Sequence, residues 1–125
     1  MEASFNILFV DDEENILRAL RRLFLEENFN VYTAKSGKEG LEIIQDKEFA
    51  VIVSDQRMPE MTGTEFLLRA KELSPNTLRI ILTGYADINA AMDAINEAGA
   101  YRYITKPWND RELVHIIKEA ANRYR

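Results

Sequence analysis

The chain has 125 residues, 46% of them hydrophobic, which suits a single domain with one hydrophobic core. Its formal net charge of −5 argues against direct nucleic-acid binding, because phosphate backbones require a basic surface. The absence of cysteine excludes disulfides and thiolate sites, and no apolar run approaches the roughly 20 residues of a membrane span. The N-terminus also lacks the features of a secretory signal peptide, so we expect one soluble cytoplasmic domain over residues 1–125.

The first third of the chain alternates between strand-like and helix-like patterns. Residues 7–10 form a short apolar run that ends at Asp11 and Asp12, which is typical of a buried strand. Residues 13–27 carry apolar side chains at helical spacing, and residues 29–33 alternate as a more exposed strand does. Ser36 suits the N-cap of a second helix that extends to about residue 46.

The middle of the chain repeats this alternation around Asp55. Residues 51–53 are β-branched and uncharged, and they predict a buried strand that places Asp55 at its end. After a loop that contains Pro59, Thr64 is predicted to cap a third helix, which stops at residues 74–76. Residues 78–82 are interpreted as another continuous apolar strand ending at Thr83, and residues 87–97 as a fourth helix.

The last segments complete five strand–helix pairs. Residues 100–104 alternate and lead to Lys106 and Pro107, and a final amphipathic helix begins at Asn109 or Asp110. Regular alternation of strand and helix predicts an α/β domain with a parallel sheet and right-handed crossovers. The first, third and fourth strands are apolar and belong in the middle, which fits the flavodoxin-like doubly wound order 2-1-3-4-5 with five helices on both faces.

In such sheets ligands bind beyond the carboxyl ends of the strands, where the winding reverses. Three carboxylates at these ends would repel one another, so an ionised cluster favours a bound hard cation such as Mg²⁺. An ammonium and a hydroxyl donor beside the carboxylates equip the site for phosphoryl transfer, with one aspartate as the nucleophile that forms an aspartyl phosphate. The residues predicted to converge are Asp11, Asp12, Asp55 as nucleophile, Thr83 and Lys106.

Each of these residues alone has a simpler structural interpretation. An Asp-Asp pair commonly marks the start of a helix, Lys106 alone would be a surface charge, and Thr83 alone a turn residue. Their joint placement at adjacent strand ends favours a functional site. Tyr103 remains open between packing and function, since Tyr101 is expected to point the same way along the strand.

Four segments together resemble the receiver domain of bacterial two-component response regulators, a family that includes chemotaxis regulators. They are VDDE at residues 10–13, DQRMPEMTG at 55–63, ILTG at 81–84 and AGAYRYITKP at 98–107. The resemblance covers essentially the whole chain, and it implies that Asp55 accepts phosphate from a sensor histidine kinase. It also implies a Mg²⁺ site formed by Asp12 and Asp55 directly, by Asp11 mainly through water, and by the backbone carbonyl of Arg57.

The resemblance further implies roles in catalysis and switching. Lys106 would contact the phosphoryl group, with a cis bond before Pro107. Thr83 and Tyr103 would move on phosphorylation and alter the face formed by the fourth helix, fifth strand and fifth helix. That face would control an output domain or a downstream protein, or form a homodimer. The chain is then either a stand-alone regulator or a receiver domain excised from a longer one.

Two residues near the site vary within the family and are predicted to set the lifetime of the phosphoryl group. Arg57 offers a guanidinium that could pair with the phosphoryl group or with Glu14, and Tyr85 could shield the site from water. We expect slower autodephosphorylation than with small polar residues at these two positions. The chain would catalyse its own phosphorylation and dephosphorylation, with no turnover of a separate substrate.

Three other functions remain as alternatives. The first is a receiver-like module that binds proteins without phosphorylation. The second is an aspartate-nucleophile phosphatase, although such enzymes usually place a second acid where this chain has Arg57. The third is a flavin carrier of the same fold, although the acidic strand ends would repel a flavin phosphate.

Overall fold

A computed structural model describes residues 5–124, apart from the side chain of Tyr85. It contains one five-stranded parallel sheet in the order β2-β1-β3-β4-β5, which confirms the predicted order. The strands are β1 (Phe5–Val10), β2 (Phe29–Ala34), β3 (Val51–Asp55), β4 (Leu78–Thr83) and β5 (Arg102–Thr105). The helices are α1 (Glu14–Leu23), α2 (Gly37–Asp46), α3 (Gly63–Leu73), α4 (Ile88–Glu97), preceded by a 3-10 turn (Tyr85–Asp87), and α5 (Asp110–Arg123). Within residues 5–124, none of the helices has the length and apolar character needed to span a bilayer.

The sheet has a hydrophobic core on each face, which explains why its central strands are apolar throughout. Ile7 and Phe9 of β1 face the layer formed by α1 and α5. Leu8 and Val10 face the layer formed by α2, α3 and α4. All four side chains are buried, so the strand buries both of its faces as a parallel strand in this fold does.

The helix starts agree with the sequence at two positions and differ at one. Ser36 accepts a hydrogen bond from the backbone N–H of Glu39, and Asn109 caps α5 in the same way. The predicted cap Thr64 was wrong, because Thr62 accepts a bond from Glu65 N–H while the Glu65 side chain accepts one from Thr62 N–H. This reciprocal pair is a capping box.

Helix α1 ends at Leu23, four residues before the predicted end. The next residue, Phe24, is fully buried, and its ring lies 5.5 Å from that of Phe9 and 5.9 Å from that of Phe29. Leu25 is left 76% exposed. The packing of Phe24 into the core therefore turns the chain towards β2 and takes precedence over the helical pattern.

The interpretation of residues 78–82 as continuously apolar was wrong at Arg79. This side chain is buried at the foot of β4, where its guanidinium donates to the carbonyls of Thr77 at 2.9 Å, Ala98 at 3.1 Å and Gly99 at 3.2 Å. Burial lowers the pKa of Arg79. These bonds join the foot of β4 to the segment that follows the last residue of α4, where Gly99 has a positive φ of 64°.

Candidate functional site

The predicted site residues meet at the carboxyl edge of the sheet. Asp11 follows the last residue of β1, Asp55 ends β3, Thr83 ends β4, and Lys106 follows β5. The strand register places Asp55 beside Leu82 of the next strand, so it lies level with the end of β4. The order of the sheet therefore brings together residues that are far apart in the sequence.

Three carboxylates form an acidic cluster at this edge. Asp11, Asp12 and Asp55 each offer an oxygen, and these oxygens lie within 4.8 Å of one another. Asp11 and Asp55 are buried, whereas Asp12 is exposed. Oδ1 of Asp11 accepts a bond of 2.9 Å from the backbone N–H of Glu13, which fixes the carboxylate at the start of α1.

Lys106 bridges two members of the acidic cluster. Its Nζ lies 2.9 Å from Oδ1 of Asp55 and 3.1 Å from Oδ2 of Asp11. The Lys106–Pro107 peptide bond is cis. Because three carboxylates face one ammonium, the cluster keeps an excess of negative charge that suits a divalent cation with oxygen ligands.

Burial acts on the pKa values of both Asp55 and Lys106, but their charged neighbours change the outcome in different ways. Burial raises the pKa of Asp55 to about 6, the charges of Asp11 and Asp12 act in the same direction, and Lys106 opposes them. Burial lowers the pKa of Lys106, but its contacts with Asp55 and Asp11 outweigh that effect and leave the pKa raised. The lysine is thus firmly charged at neutral pH, whereas a nearby cation would stabilise ionised Asp55.

Thr83 and Tyr103 lie on β4 and β5, the two strands on one side of β3. Thr83 is buried, and its hydroxyl donates to the carbonyl of Gly84 at 3.3 Å. Tyr103 is half-buried against the core of the α2, α3 and α4 layer. Tyr101 packs against the opposite core beneath the guanidinium of Arg123, so the expectation that both tyrosines point the same way was wrong.

Arg57 pairs with Asp87, a partner that the sequence did not predict. Its Nε lies 2.8 Å from Oδ2 of Asp87 and its Nη2 lies 3.1 Å from Oδ1, which makes a two-pronged ion pair. Glu14, one of the two predicted partners, pairs instead with Lys35 at 2.9 Å. The predicted role of the Tyr85 side chain concerns atoms that lie outside the described part of the structure.

Gln56 and Thr64 hold the loop after Asp55, and sequence reasoning missed this function. The Gln56 side-chain oxygen accepts bonds from the Thr64 backbone at 3.0 Å and from its hydroxyl at 2.9 Å. Gly63 donates its N–H to the Gln56 carbonyl at 3.0 Å. A Cβ on Gly63 would collide with the carbonyl oxygen of Asp55, so the start of α3 packs directly against the end of β3.

Comparisons with known proteins agree with this arrangement. The family model for the response regulator receiver domain matches residues 7–118. The hydrogenase transcriptional regulatory protein HoxA of Bradyrhizobium diazoefficiens is 40% identical over 125 residues, which cover 100% of this chain. The chain spans only 26% of the length of HoxA.

Two solved structures resemble the chain over nearly its whole length. The signal receiver domain of an HD domain-containing protein from Pseudomonas fluorescens has a TM-score of 0.93 at 32% identity, with 99% of this chain and 91% of that one covered. The beryllofluoride-activated NtrC4 receiver domain dimer has a TM-score of 0.88 at 36% identity, with 96% and 98% covered.

Proposed function

Because the chain belongs to the response regulator receiver domain family of two-component systems, we propose that it is a signalling switch set by phosphorylation of Asp55. One observation carries this proposal: Asp55 lies in the acidic cluster and directly contacts the Lys106 ammonium at 2.9 Å. An ammonium beside the nucleophilic carboxylate would neutralise charge on the phosphoryl oxygens during the transfer.

The donor set at the cluster fits Mg²⁺, which prefers carboxylate, carbonyl and water oxygens. We assign Asp12 and Asp55 as direct ligands, Asp11 as a ligand mainly through water, and the backbone carbonyl of Arg57 as a further ligand. The bound ion would neutralise negative charge on the phosphoryl oxygens. The exposed position of Asp12 leaves this side of the cluster accessible from solvent.

In the proposed reaction, a carboxylate oxygen of Asp55 attacks the phosphorus of a phosphohistidine on a sensor kinase. The new O–P bond forms as the P–N bond breaks, and the imidazole leaves with the electron pair. Lys106 then exchanges its contact with the carboxylate for one with a phosphoryl oxygen. The hydroxyl of Thr83 turns from the Gly84 carbonyl and donates to another phosphoryl oxygen.

We propose that the switch is read out at the face formed by α4, β5 and α5. Movement of Thr83 opens space beside Tyr103, whose half-buried ring lies on this face. The ring would then turn inward and change the surface that a partner contacts. The partner is an output domain, a downstream protein or a second copy of the chain, and the dimeric NtrC4 receiver supports the last of these.

The kinase partner and the cytoplasmic location follow from the same proposal. HoxA is a transcriptional regulator, and this chain corresponds to about a quarter of it, which supports an output domain in the full protein. Size-exclusion chromatography with and without beryllofluoride tests the dimer. Elution as a monomer in both conditions would contradict it.

The experiment that tests phosphorylation is intact-mass spectrometry after incubation with acetyl phosphate and Mg²⁺. Wild type is compared with Asp55→Asn and with Asp93→Asn, a matched control at an exposed position on α4. We expect one phosphoryl adduct on wild type and on Asp93→Asn, none on Asp55→Asn, and none with EDTA. A folded wild type without an adduct would instead favour the phosphorylation-independent binding module.

A further inference from the structure

The ion pair between Arg57 and Asp87 connects two loops at the edge of the proposed phosphorylation site. Arg57 lies two residues after Asp55, and Asp87 immediately precedes α4. Both guanidinium–carboxylate contacts are short, at 2.8 and 3.1 Å. Such two-pronged geometry fixes the orientation of both side chains.

The start of α4 lacks the side-chain cap that most helix starts have. Asp87 occupies the N-cap position, but its side chain makes no capping hydrogen bond, and the first turn of α4 has no acidic residue. The Asp87 carboxylate is committed to Arg57 instead. Its backbone N–H donates to the Gly84 carbonyl at 3.0 Å, a contact within its own loop.

The opposite end of α4 is held differently. Ala98 and Gly99, which follow the helix, accept hydrogen bonds from the buried guanidinium of Arg79. The pair at the start of the helix is more exposed, since the side chain of Arg57 is 75% exposed and that of Asp87 is 21% exposed. An exposed ion pair is weak and exchanges readily for a stronger acceptor.

Phosphorylation would create such an acceptor nearby. Arg57 lies only two residues after Asp55, in the loop that follows β3, and the charge of Asp55 acts on the pKa of Arg57 in the same direction as the hydrogen bond and charge of Asp87, which raise it. A phosphoryl group on Asp55 would carry about −1.5 to −2 charges in place of the single carboxylate charge, together with three acceptor oxygens. Arginine binds phosphate oxygens in the same two-pronged way as a carboxylate.

We propose that Asp87 is a positioning residue that holds Arg57 before phosphorylation and releases it to the phosphoryl group on Asp55 afterwards. The exchange detaches the first turn of α4 from the loop after β3 and so couples the phosphorylation site to that helix. This inference rests on the proposed function, because it requires a phosphoryl group on Asp55. It adds a connection that depends on Arg57 to the one expected through Thr83.

Hydrogen exchange of the α4 backbone amides at residues 91–93 tests the proposal, because these amides report opening of the first turn. Rates are measured by NMR with and without beryllofluoride and Mg²⁺, a stable mimic of the phosphoryl group. The proteins are wild type, Arg57→Gln, Asp87→Asn, the double variant and the matched control Asp93→Asn. Intact-mass spectrometry with acetyl phosphate is run on the same samples.

For each protein, we divide the exchange rate with the mimic by the rate without it. We expect this ratio to be about two- to fivefold larger in wild type and Asp93→Asn than in the three other variants. Without the mimic, those three variants should already exchange faster than wild type by a similar factor. A ratio as large in either single variant as in wild type would overturn the proposal. Arg57 is exposed, so Arg57→Gln decides the question alone if Asp87→Asn does not fold.

The mass measurement separates this inference from the proposed function. Absence of an adduct on folded wild type would show that the proposed function fails, and the inference would fail with it. An adduct together with equal exchange ratios in wild type and Arg57→Gln would leave the phosphorylation switch intact and refute only the role of Asp87.

Discussion

Replacing Asp55 by asparagine should stabilise the metal-free protein at neutral pH, even though it removes the proposed phosphorylation site. Burial and two neighbouring carboxylates raise the pKa of Asp55 in the folded chain to about 6, above the ordinary value of 3.8. The ionised carboxylate is therefore less favourable in the folded protein than in the unfolded chain. Asparagine has nearly the same shape and lacks the charge.

The magnitude follows from the difference between the two pKa values. A change from 3.8 to about 6 corresponds to about 3 kcal/mol if the carboxylate is fully ionised. The site opens to solvent at Asp12, and solvent screening reduces this figure, so we expect Asp55→Asn to raise the free energy of unfolding by about 1–2 kcal/mol. For a domain of this size that is a rise in Tm of about 3–10 °C.

The pH dependence has a defined sign. Because the folded-state pKa is the higher one, the destabilisation of wild type is absent below pH 3.8, grows as pH rises towards 6, and is constant above that value. The advantage of Asp55→Asn should therefore be largest at pH 7.5 and about half as large at pH 5.

Urea denaturation in EDTA at pH 5 and 7.5 measures the difference in the free energy of unfolding and its dependence on pH. Asp93→Asn is the control, and it is expected to match wild type. Addition of Mg²⁺ should stabilise wild type more than Asp55→Asn, because the ion binds the folded acidic cluster. A wild type that equals or exceeds Asp55→Asn in stability at pH 7.5 without metal would refute the electrostatic reasoning.

Three further substitutions test separate parts of the structure. Gly63→Ala should lower the free energy of unfolding by more than about 2 kcal/mol, because there is no space for the added Cβ. Gly84→Ala, with open space around the added Cβ, should change the free energy of unfolding by no more than about 0.5 kcal/mol. Similar losses in both variants would contradict the close packing at Gly63. Arg79→Met should lower the free energy of unfolding, measured by urea denaturation, by about 2–4 kcal/mol, because carbonyls in a buried region lose their hydrogen-bond donor. Arg102→Met, at an exposed position, should lower it little. An Arg79→Met variant as stable as wild type would show that those hydrogen bonds are dispensable. Lys106→Met should slow phosphorylation by acetyl phosphate at least about tenfold by intact mass, because the acidic cluster loses its ammonium, and an unchanged rate would remove Lys106 from the proposed reaction.

The sequence was sufficient to predict the sheet order and the composition of the acidic cluster, for a physical reason. A strand buried on both faces must be apolar throughout, so residues 7–10 and 51–53 revealed the centre of the sheet. Parallel strands end at one edge, so the polar residues after those strands had to meet. Asp11, Asp55 and Lys106 could therefore be grouped without any knowledge of distances.

Contacts between loops were beyond the same reasoning. Arg57 and Asp87 follow adjacent strands, but several carboxylates lie near that edge, and only the loop geometry selects Asp87 over Glu14. Arg79 gave no sign of its buried position, because its partners are backbone carbonyls, which every residue carries. The cap of α3 could have been predicted, since Thr62 followed three residues later by Glu65 is the pattern of a capping box.

The unequal attachment of the two ends of α4 has a mechanical consequence. The ten residues of the helix span about 15 Å, and the segment after the last residue is clamped to the foot of β4 by Arg79. A helix fixed at one end behaves as a lever with its pivot there. A rotation of about 10° would displace the first turn by about 2.6 Å and leave the last turn nearly in place. A rearrangement beside Asp55 would therefore move the first turn of α4 most and its last turn least, because the buried Arg79 holds the segment after the helix.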